Sequence, residues 1–245
     1  MGEKTSGMVY LHQFPRCTKG PNISPFCLKM ETFLRMAKID YEAIGSLTMG
    51  PKGKVPFIVL DGETVADSDF IIEFLIKRFN LTMNDHLDER QKAVAHAMEQ
   101  MLEENTIWTL GYHMLNDRCL EDTPGLMFLN PGMLKSLAFK MYGSMRLSKN
   151  LHAQGMGRHS GDEVATIVRK DLGSVSALLG KNRYVMGDQV TAYDAAVFAL
   201  LASFYYTAPL SLQYQLMNDE YNNLGDYVKR MREEFYPDWD ELTLK

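Results

Sequence analysis

The chain has 245 residues, of which 46% are hydrophobic and 23% charged, a composition typical of a folded globular protein and not of a disordered or fibrous one. Asp and Glu outnumber Lys and Arg by 31 to 26, and the resulting net charge of −5 argues against a nucleic-acid partner, because that affinity comes from neutralising phosphates. At roughly 150 residues per domain, this length fits one large domain or two modest ones.

The first eighty residues alternate strand and helix patterns. The predicted strands cover residues 8–14, 41–44, 55–60 and 64–66. The last two flank Asp61-Gly62, a pair that suits a type I′ hairpin turn. Helices are predicted to begin at Ser24-Pro25 and at Asp67-Ser68, since Ser and Asp are favoured N-caps and Pro suits the first helical position. This order predicts a thioredoxin-like unit over residues 1–80, with a mixed four-stranded sheet.

Residues 81–88 are polar and turn-rich, which is typical of a linker, and the patterns after them have helical period. The predicted helices cover residues 86–116, 131–152, 161–179, 191–206 and 224–235. Thr191 and Asp194 have the spacing of a capping box. We therefore predict an all-helical domain over residues 89–245.

The cysteine count and the apolar runs bear on the compartment. Cys17, Cys27 and Cys119 are an odd number in a chain too long to need disulfides, which indicates free thiols in a reducing compartment. The start of the sequence has no apolar signal segment, and the longest apolar run, residues 195–210, is shorter than the ~20 residues that span a bilayer. These features predict a cytoplasmic protein without a transmembrane segment.

Ser24 occupies the position where thioredoxin-like proteins carry their reactive group, at the N-terminus of the first helix. Free N–H groups and the positive end of the helix dipole stabilise a thiolate there. A serine hydroxyl cannot form a mixed disulfide, which argues against dithiol exchange and suggests that Cys27 is a packed thiol. Two interpretations remain: the Ser24 hydroxyl donates a hydrogen bond to a bound thiol and lowers its pKa from ~8.5, or Ser24 is only an N-cap.

Three further motifs suggest a binding site for a short peptide. Val55-Pro56 opens the hairpin, and a cis proline here would let the Val55 backbone pair with an extended ligand. Asp67 offers a carboxylate for an ammonium group, while Ser68 and the helix N–H groups suit a carboxylate. Lys54 suits a second carboxylate. Together with Ser24, these residues predict a site for a short anionic thiol peptide.

The long helix and the histidines allow other interpretations. Trp108, Tyr112 and His113 either line a second-substrate pocket or belong to the interhelical core. The six histidines lack ligand spacing with Cys, so no metal is predicted. Residues 155–159 lack the surroundings of a phosphate loop and are predicted to separate two helices.

The site motifs, Ser24-Pro25-Phe26, Lys54-Val55-Pro56 and Asp67-Ser68, resemble the glutathione site of the glutathione S-transferase superfamily. Residues 184–194 resemble the helix-opening motif of its C-terminal domain. Longer motifs resemble the failed axon connections family, which is related to metaxins; they cover residues 21–32, 53–58, 66–68 and 154–160.

The resemblance implies a transferase with glutathione as co-substrate. Ser24 would stabilise the glutathione thiolate, and the partners would be glutathione and a small apolar electrophile, in a homodimer. The alternative is a non-catalytic glutathione-binding or protein-interaction module, since metaxins serve mitochondrial protein import.

Overall fold

The computed structural model describes residues 7–116 and 133–244, so Cys119 lies outside the described residues. Four strands form one mixed sheet in the order β2-β1-β3-β4. They are β1 (Val9–Gln13), β2 (Tyr41–Gly45), β3 (Phe57–Leu60) and β4 (Glu63–Ala66). β1 runs parallel to β2 and antiparallel to β3, and β3 pairs antiparallel with β4. This confirms the predicted thioredoxin-like sheet.

Two local features fix the hairpin. Asp61 and Gly62 both have positive φ, +49° and +87°, as a type I′ turn requires. The Val55–Pro56 peptide bond is cis, as expected from the sequence.

The helices confirm the helical C-terminal region. They are α1 (Pro25–Met36), α2 (Ser68–Phe79), α3 (Glu89–Met101), α4 (Ile107–Asn116), α5 (Met133–Gln154), α6 (Gly161–Leu179), α7 (Ala192–Ala202), α8 (Leu212–Asp219) and α9 (Asn222–Phe235). Residues 89–116 and 133–244 contain no strand. α2 ends at Phe79 and α3 begins at Glu89, while the boundaries of the two domains and of the linker stay predictions.

Three details differ from the predicted helices. The helix predicted over residues 86–116 is interrupted by a π-helical turn at Leu102–Thr106, and α7 continues into a second π-helical turn at Ser203–Thr207. α8 was not predicted, because its eight residues are too short for a clear periodic pattern. Its N-cap is Ser211, whose side chain accepts a hydrogen bond from the Tyr214 N–H at 3.1 Å.

The sheet unit and the helical region share one hydrophobic core. α1 packs along α7, whose side chains are almost all buried. At the end of α1, Arg35 binds the carboxylate of Asp238 through both terminal guanidinium nitrogens, at 2.6 and 2.8 Å. α1 is therefore anchored to the helical region both along α7 and at its C-terminal end.

In the described part of the chain, no single helix is long and apolar enough to cross a membrane. One bent pair, Ala192–Thr207 with Leu212–Asp219, meets the length and composition requirements only when the two are taken together.

Candidate active site

A pocket of about 380 Å³ opens between the N-terminus of α2, the loop before β3 and the π-helical turn at Leu102–Thr106. Its lining residues are Phe26, Lys52, Lys54, Val55, Pro56, Ala66, Asp67, Ser68, Asp69, Glu103 and Glu104. The pocket brings together Lys54, Val55, Pro56, Asp67 and Ser68, but not Ser24, the sixth residue predicted for the thiol-peptide site. It also contains charged residues that the sequence did not point to.

The loop before β3 carries both lysines of the pocket. It closes on itself because the Gly50 N–H donates to the Lys54 carbonyl at 3.0 Å and the Gly53 N–H donates to the Gly50 carbonyl at 2.8 Å. Gly53 has a φ of +68°, a conformation that glycine adopts without a steric cost. Both lysines thus stand on the loop just before cis-Pro56. The Lys52 ammonium lies 3.8 Å from Asp67 Oδ2, whereas Lys54 is placed to meet a ligand carboxylate.

The opposite wall is the N-terminus of α2. Asp67 is the N-cap, and its Oδ1 accepts a hydrogen bond from the Asp69 N–H at 3.3 Å. Asp67 has a φ of +87°, a strained conformation of the kind that clusters at ligand-binding sites. Ser68 is buried at the first helical position. This end of the pocket therefore offers a carboxylate for an ammonium group and helix N–H groups for a carboxylate.

Ser24 is the N-cap of α1, as predicted. Its Oγ accepts a hydrogen bond from the Cys27 N–H at 3.4 Å, and the Ser24 side chain also hydrogen-bonds to the Cys27 thiol. Its own N–H donates to Oδ1 of the buried Asn22 at 3.0 Å, and the Asn22 amide donates to the Phe14 carbonyl at 2.8 Å. Ser24 is half-buried and does not line the pocket, whereas Phe26 on the same helix turn does.

Two family models match this chain. Residues 25–119 match the glutathione S-transferase N-terminal domain, and residues 168–231 match the glutathione S-transferase C-terminal domain. The chain belongs to the glutathione S-transferase superfamily.

Individual relatives support the branch that the motifs indicated. Failed axon connections from Drosophila melanogaster is 32% identical over 97% of this chain, which spans only 60% of that relative's length. The isoprene-epoxide glutathione S-transferase of Rhodococcus sp. (strain AD45) is 28% identical, over 88% of this chain and 94% of its own. Metaxin-2 from Mus musculus is 27% identical, over 89% of this chain and 84% of the length of metaxin-2.

Solved structures share the fold. The glutathione transferase GSTFuA3 from Phanerochaete chrysosporium superposes with a TM-score of 0.64 at 16% identity, over 93% of this chain and 97% of its own. A glutathione S-transferase from Methylobacillus flagellatus, solved with glutathione bound, gives 0.59 at 18% identity, over 92% and 95% of the two chains. At these identities the likeness concerns the fold alone.

Cys27 behaves as a packed thiol in this member of the superfamily. It is fully buried, and burial raises the pKa of its thiol to about 11, despite hydrogen bonds that act in the opposite direction. It is therefore protonated at neutral pH. Cys17 is also free and buried.

A buried charge cluster beside the pocket was not predicted from the sequence. Lys29 on α1 is 1% exposed and its ammonium contacts three carboxylates. It donates to Glu99 at 2.8 Å, to Glu103 at 2.7 Å and to Asp69. We refer to Lys29, Asp69, Glu99 and Glu103 as the Lys29 cluster. It joins α1 and α2 to α3 and the π-helical turn that follows α3.

The cluster holds one cation for three anions, and its carboxylate oxygens lie within 4.8 Å of one another. Burial opposes the charge on Lys29, but the carboxylates outweigh it and raise the pKa of Lys29. Burial raises the pKa of Glu103 to about 7, although Lys29 partly compensates, and burial also raises the pKa of Glu99. Such carboxylates are a common metal-ligand set, but here Lys29 already occupies their centre.

The π-helical turn presents Glu103 and Glu104 to the pocket. Asp171 on α6 stabilises this turn, since its Oδ2 accepts hydrogen bonds from the Asn105 amide at 2.8 Å and the Thr106 hydroxyl at 2.7 Å. π-helical bulges occur frequently at functional sites.

The three residues predicted for a second-substrate pocket lie on α4. Trp108 and Tyr112 pack partly buried against the core, and neither they nor His113 line the pocket that contains Lys54 and Ser68. Their packing agrees with the interhelical interpretation, and their role toward a second substrate stays a prediction.

Proposed function

We propose that this chain is a glutathione S-transferase-type enzyme that binds glutathione, stabilises its thiolate and joins it to a small apolar electrophile. The observation that supports this most is the single pocket shared by Lys54, Val55, cis-Pro56, Asp67 and Ser68. These side chains match the chemistry of glutathione, which has two carboxylates, one ammonium group and a peptide backbone.

In the proposed complex, Lys54 binds the glycine carboxylate, and the Val55 backbone pairs with the cysteine residue of glutathione as an added strand would. Ser68 and the N-terminus of α2 bind the γ-glutamyl carboxylate. Asp67 accepts a hydrogen bond from the ammonium group. The thiol then points toward α1.

Ser24 is the proposed catalytic residue. Its hydroxyl donates to the sulfur, favours the ionised form and lowers the thiol pKa. The thiol proton passes to solvent, and the thiolate forms a carbon–sulfur bond with the electrophile. An epoxide is the first electrophile to test, because a relative is named for isoprene epoxide. When the thiolate attacks an epoxide, a carbon–oxygen bond of the epoxide ring breaks and the resulting alkoxide takes a proton from water.

We propose that Trp108, Tyr112 and His113 contact the electrophile.

The second candidate is a glutathione-binding module without turnover. It is favoured by one observation: Ser24 does not line the pocket. The two proposals differ in whether bound glutathione reacts. In either case we propose a cytoplasmic homodimer, and light scattering on the purified protein measures the number of copies.

The test compares the wild type with Ser24→Ala, using calorimetric titration with glutathione and a conjugation assay with epoxides and other electrophiles. We expect Ser24→Ala to retain glutathione binding and to lose about 10- to 100-fold in kcat/KM, the range of a single hydrogen bond to a charged group. Ser160→Ala, which removes the exposed N-cap of α6, is the matched control and should leave kcat/KM unchanged.

The other possible results of this test distinguish between the two proposed functions. Wild-type turnover in Ser24→Ala would remove the role assigned to the hydroxyl. Glutathione binding without turnover in the wild type would favour the module. A wild-type protein that does not bind glutathione would contradict both proposals.

A further inference from the structure

The solvent-facing side of α5 has an unusual composition. Met141, Tyr142 and Met145 are 61%, 71% and 72% exposed, and Arg146 and Lys149 beside them are exposed as well. We call these five residues the α5 surface. The other side of the helix packs on α4, where Leu147 and Leu151 lie close to Gly111. The α5 surface thus points away from the part of the protein that the structure describes.

The charge around this surface is of one sign. No Asp or Glu occurs between residues 123 and 161. That stretch holds five of the chain's 26 Lys and Arg and none of its 31 Asp and Glu, although the chain as a whole is acidic. A solvated helix face usually carries charges of both signs. On the described face of α5, Arg146 and Lys149 are the charged neighbours of the exposed apolar side chains, a combination that suits an anionic, partly apolar partner.

We propose that the α5 surface docks the protein on anionic phospholipid bilayers. An amphipathic helix with apolar side chains and Lys or Arg lies in the plane of the headgroups, with the apolar side chains at the acyl boundary. Tyr142 is of a residue type enriched at that interface. Arg146 and Lys149 contact the lipid phosphates. This binding is peripheral and needs no membrane-spanning helix.

Charge decides between a bilayer and a second copy of the same surface. A two-fold contact places the same patch on both sides, so a dimer through the α5 surface would bring both copies of Arg146 and Lys149 into one contact, with no carboxylate among the five residues of the patch to offset them. Like charges in such a contact are unfavourable. An anionic bilayer has the opposite sign and attracts each nearby Lys or Arg.

The experiment is sedimentation of the full chain with large vesicles, made either of phosphatidylcholine alone or with about 30% phosphatidylserine. We expect binding to the anionic vesicles only, and weaker binding as salt is raised, because salt screens exposed charges. The double variant Arg146→Glu/Lys149→Glu should reduce the vesicle affinity about tenfold or more. Its matched control, Lys170→Glu/Lys181→Glu, changes exposed cations elsewhere and should reduce the affinity less than twofold.

A second pair of variants tests how much the apolar side chains of the α5 surface contribute to vesicle binding. Met145→Ser should weaken vesicle binding several-fold, whereas Leu210→Ser, which removes an apolar side chain that is 75% exposed, should not. All these side chains are exposed, so thermal unfolding should be unchanged. The proposal is overturned if wild-type protein ignores anionic vesicles, binds neutral ones equally, or loses binding equally in the control variants. It is also overturned if the α5 variants change the oligomeric state in place of vesicle binding. Glutathione binding is not involved, so neither result bears on the proposed function.

Discussion

Glu103 combines two roles, because its carboxyl lines the pocket and also accepts a hydrogen bond from the buried Lys29 ammonium. Its pKa is raised to about 7 from an ordinary value of 4.5. The folded protein therefore keeps a proton on Glu103 that the unfolded chain releases at lower pH. Between these two values, ionisation of Glu103 in the unfolded state makes folding less favourable as the pH rises.

This argument predicts the behaviour of Glu103→Gln. At pH 5 the variant should resemble the wild type, because both side chains are neutral. As the pH rises from 5 to 8, the variant should become more stable relative to the wild type, by on the order of 2 kcal/mol. Urea unfolding at several pH values measures this difference.

Glu104→Gln is the matched control, since Glu104 is the adjacent residue, also lines the pocket and is exposed. Its effect on the free energy of unfolding should be small at every pH. A constant difference between Glu103→Gln and the wild type from pH 5 to 8 would contradict the raised pKa.

The residues of the pocket differ in how well the sequence predicted them. Asp67 and Ser68 follow from local cap signals, and Val55-Pro56 follows from a dipeptide in a recognisable position. Glu103 lies 74 positions from Lys29, and nothing in its neighbourhood in the sequence indicates that contact. A lysine on a helix is ordinarily exposed, so the sequence alone predicts a solvent-exposed side chain for Lys29, whereas the structure buries it.

At the level of elements, the N-terminus of α7 shows how one side chain organises a helix. Asp194 is fully buried. Its carboxylate accepts hydrogen bonds from the Thr191 N–H and hydroxyl, both at 2.8 Å, from the Val185 N–H at 2.9 Å and from the Tyr227 hydroxyl at 2.9 Å. The predicted capping box is confirmed, with two further donors that the spacing could not reveal.

We expect Asp194→Ala to lower the free energy of unfolding by about 3 kcal/mol or more, because several buried donors lose their acceptor at once. Denaturant unfolding of the variant checks this. The exposed capping box of α6, Ser160 with Glu163, supplies the control: Glu163→Ala should cost only about 1 kcal/mol. Equal costs at the two helices would show that burial of Asp194 adds nothing.

The elements were predicted well where their signals are local. N-cap residues, the Asp-Gly turn dipeptide and the periodicity of apolar residues were sufficient to predict every strand and most of the helices. The π-helical turn at Leu102–Thr106 depends on Asp171, which lies 65 positions from Thr106, so helical periodicity alone could not show it.

At the level of the whole molecule, the Lys29 cluster ties the sheet unit to the helical region. Lys29→Met removes the only cation of the cluster and leaves its carboxylates close together. We expect it to lower the free energy of unfolding by about 3 to 5 kcal/mol, the cost of breaking a buried ion pair. Adding Glu99→Gln and Glu103→Gln should recover much of this loss, because the repulsion is then removed.

The control for this experiment is Lys92→Met, which breaks an exposed pair with Glu89 and should change stability by less than about 1 kcal/mol. If Lys29→Met were equally mild, the cluster would not hold the two parts of the chain together. Thermal unfolding of the four proteins at pH 7 gives the comparison.

The packing of α1 against α7 also has a consequence for synthesis on the ribosome. The sheet unit emerges first, yet the helix that covers α1 begins only at Ala192, and the Glu99 and Glu103 partners of Lys29 are made about 70 residues after it. We expect the nascent sheet unit to expose an apolar helix face until most of the chain has been translated, while Lys29 lacks Glu99 and Glu103 only until α3 and the turn after it have emerged. Premature termination before Ala192 should therefore yield fragments that chaperones retain or proteases remove.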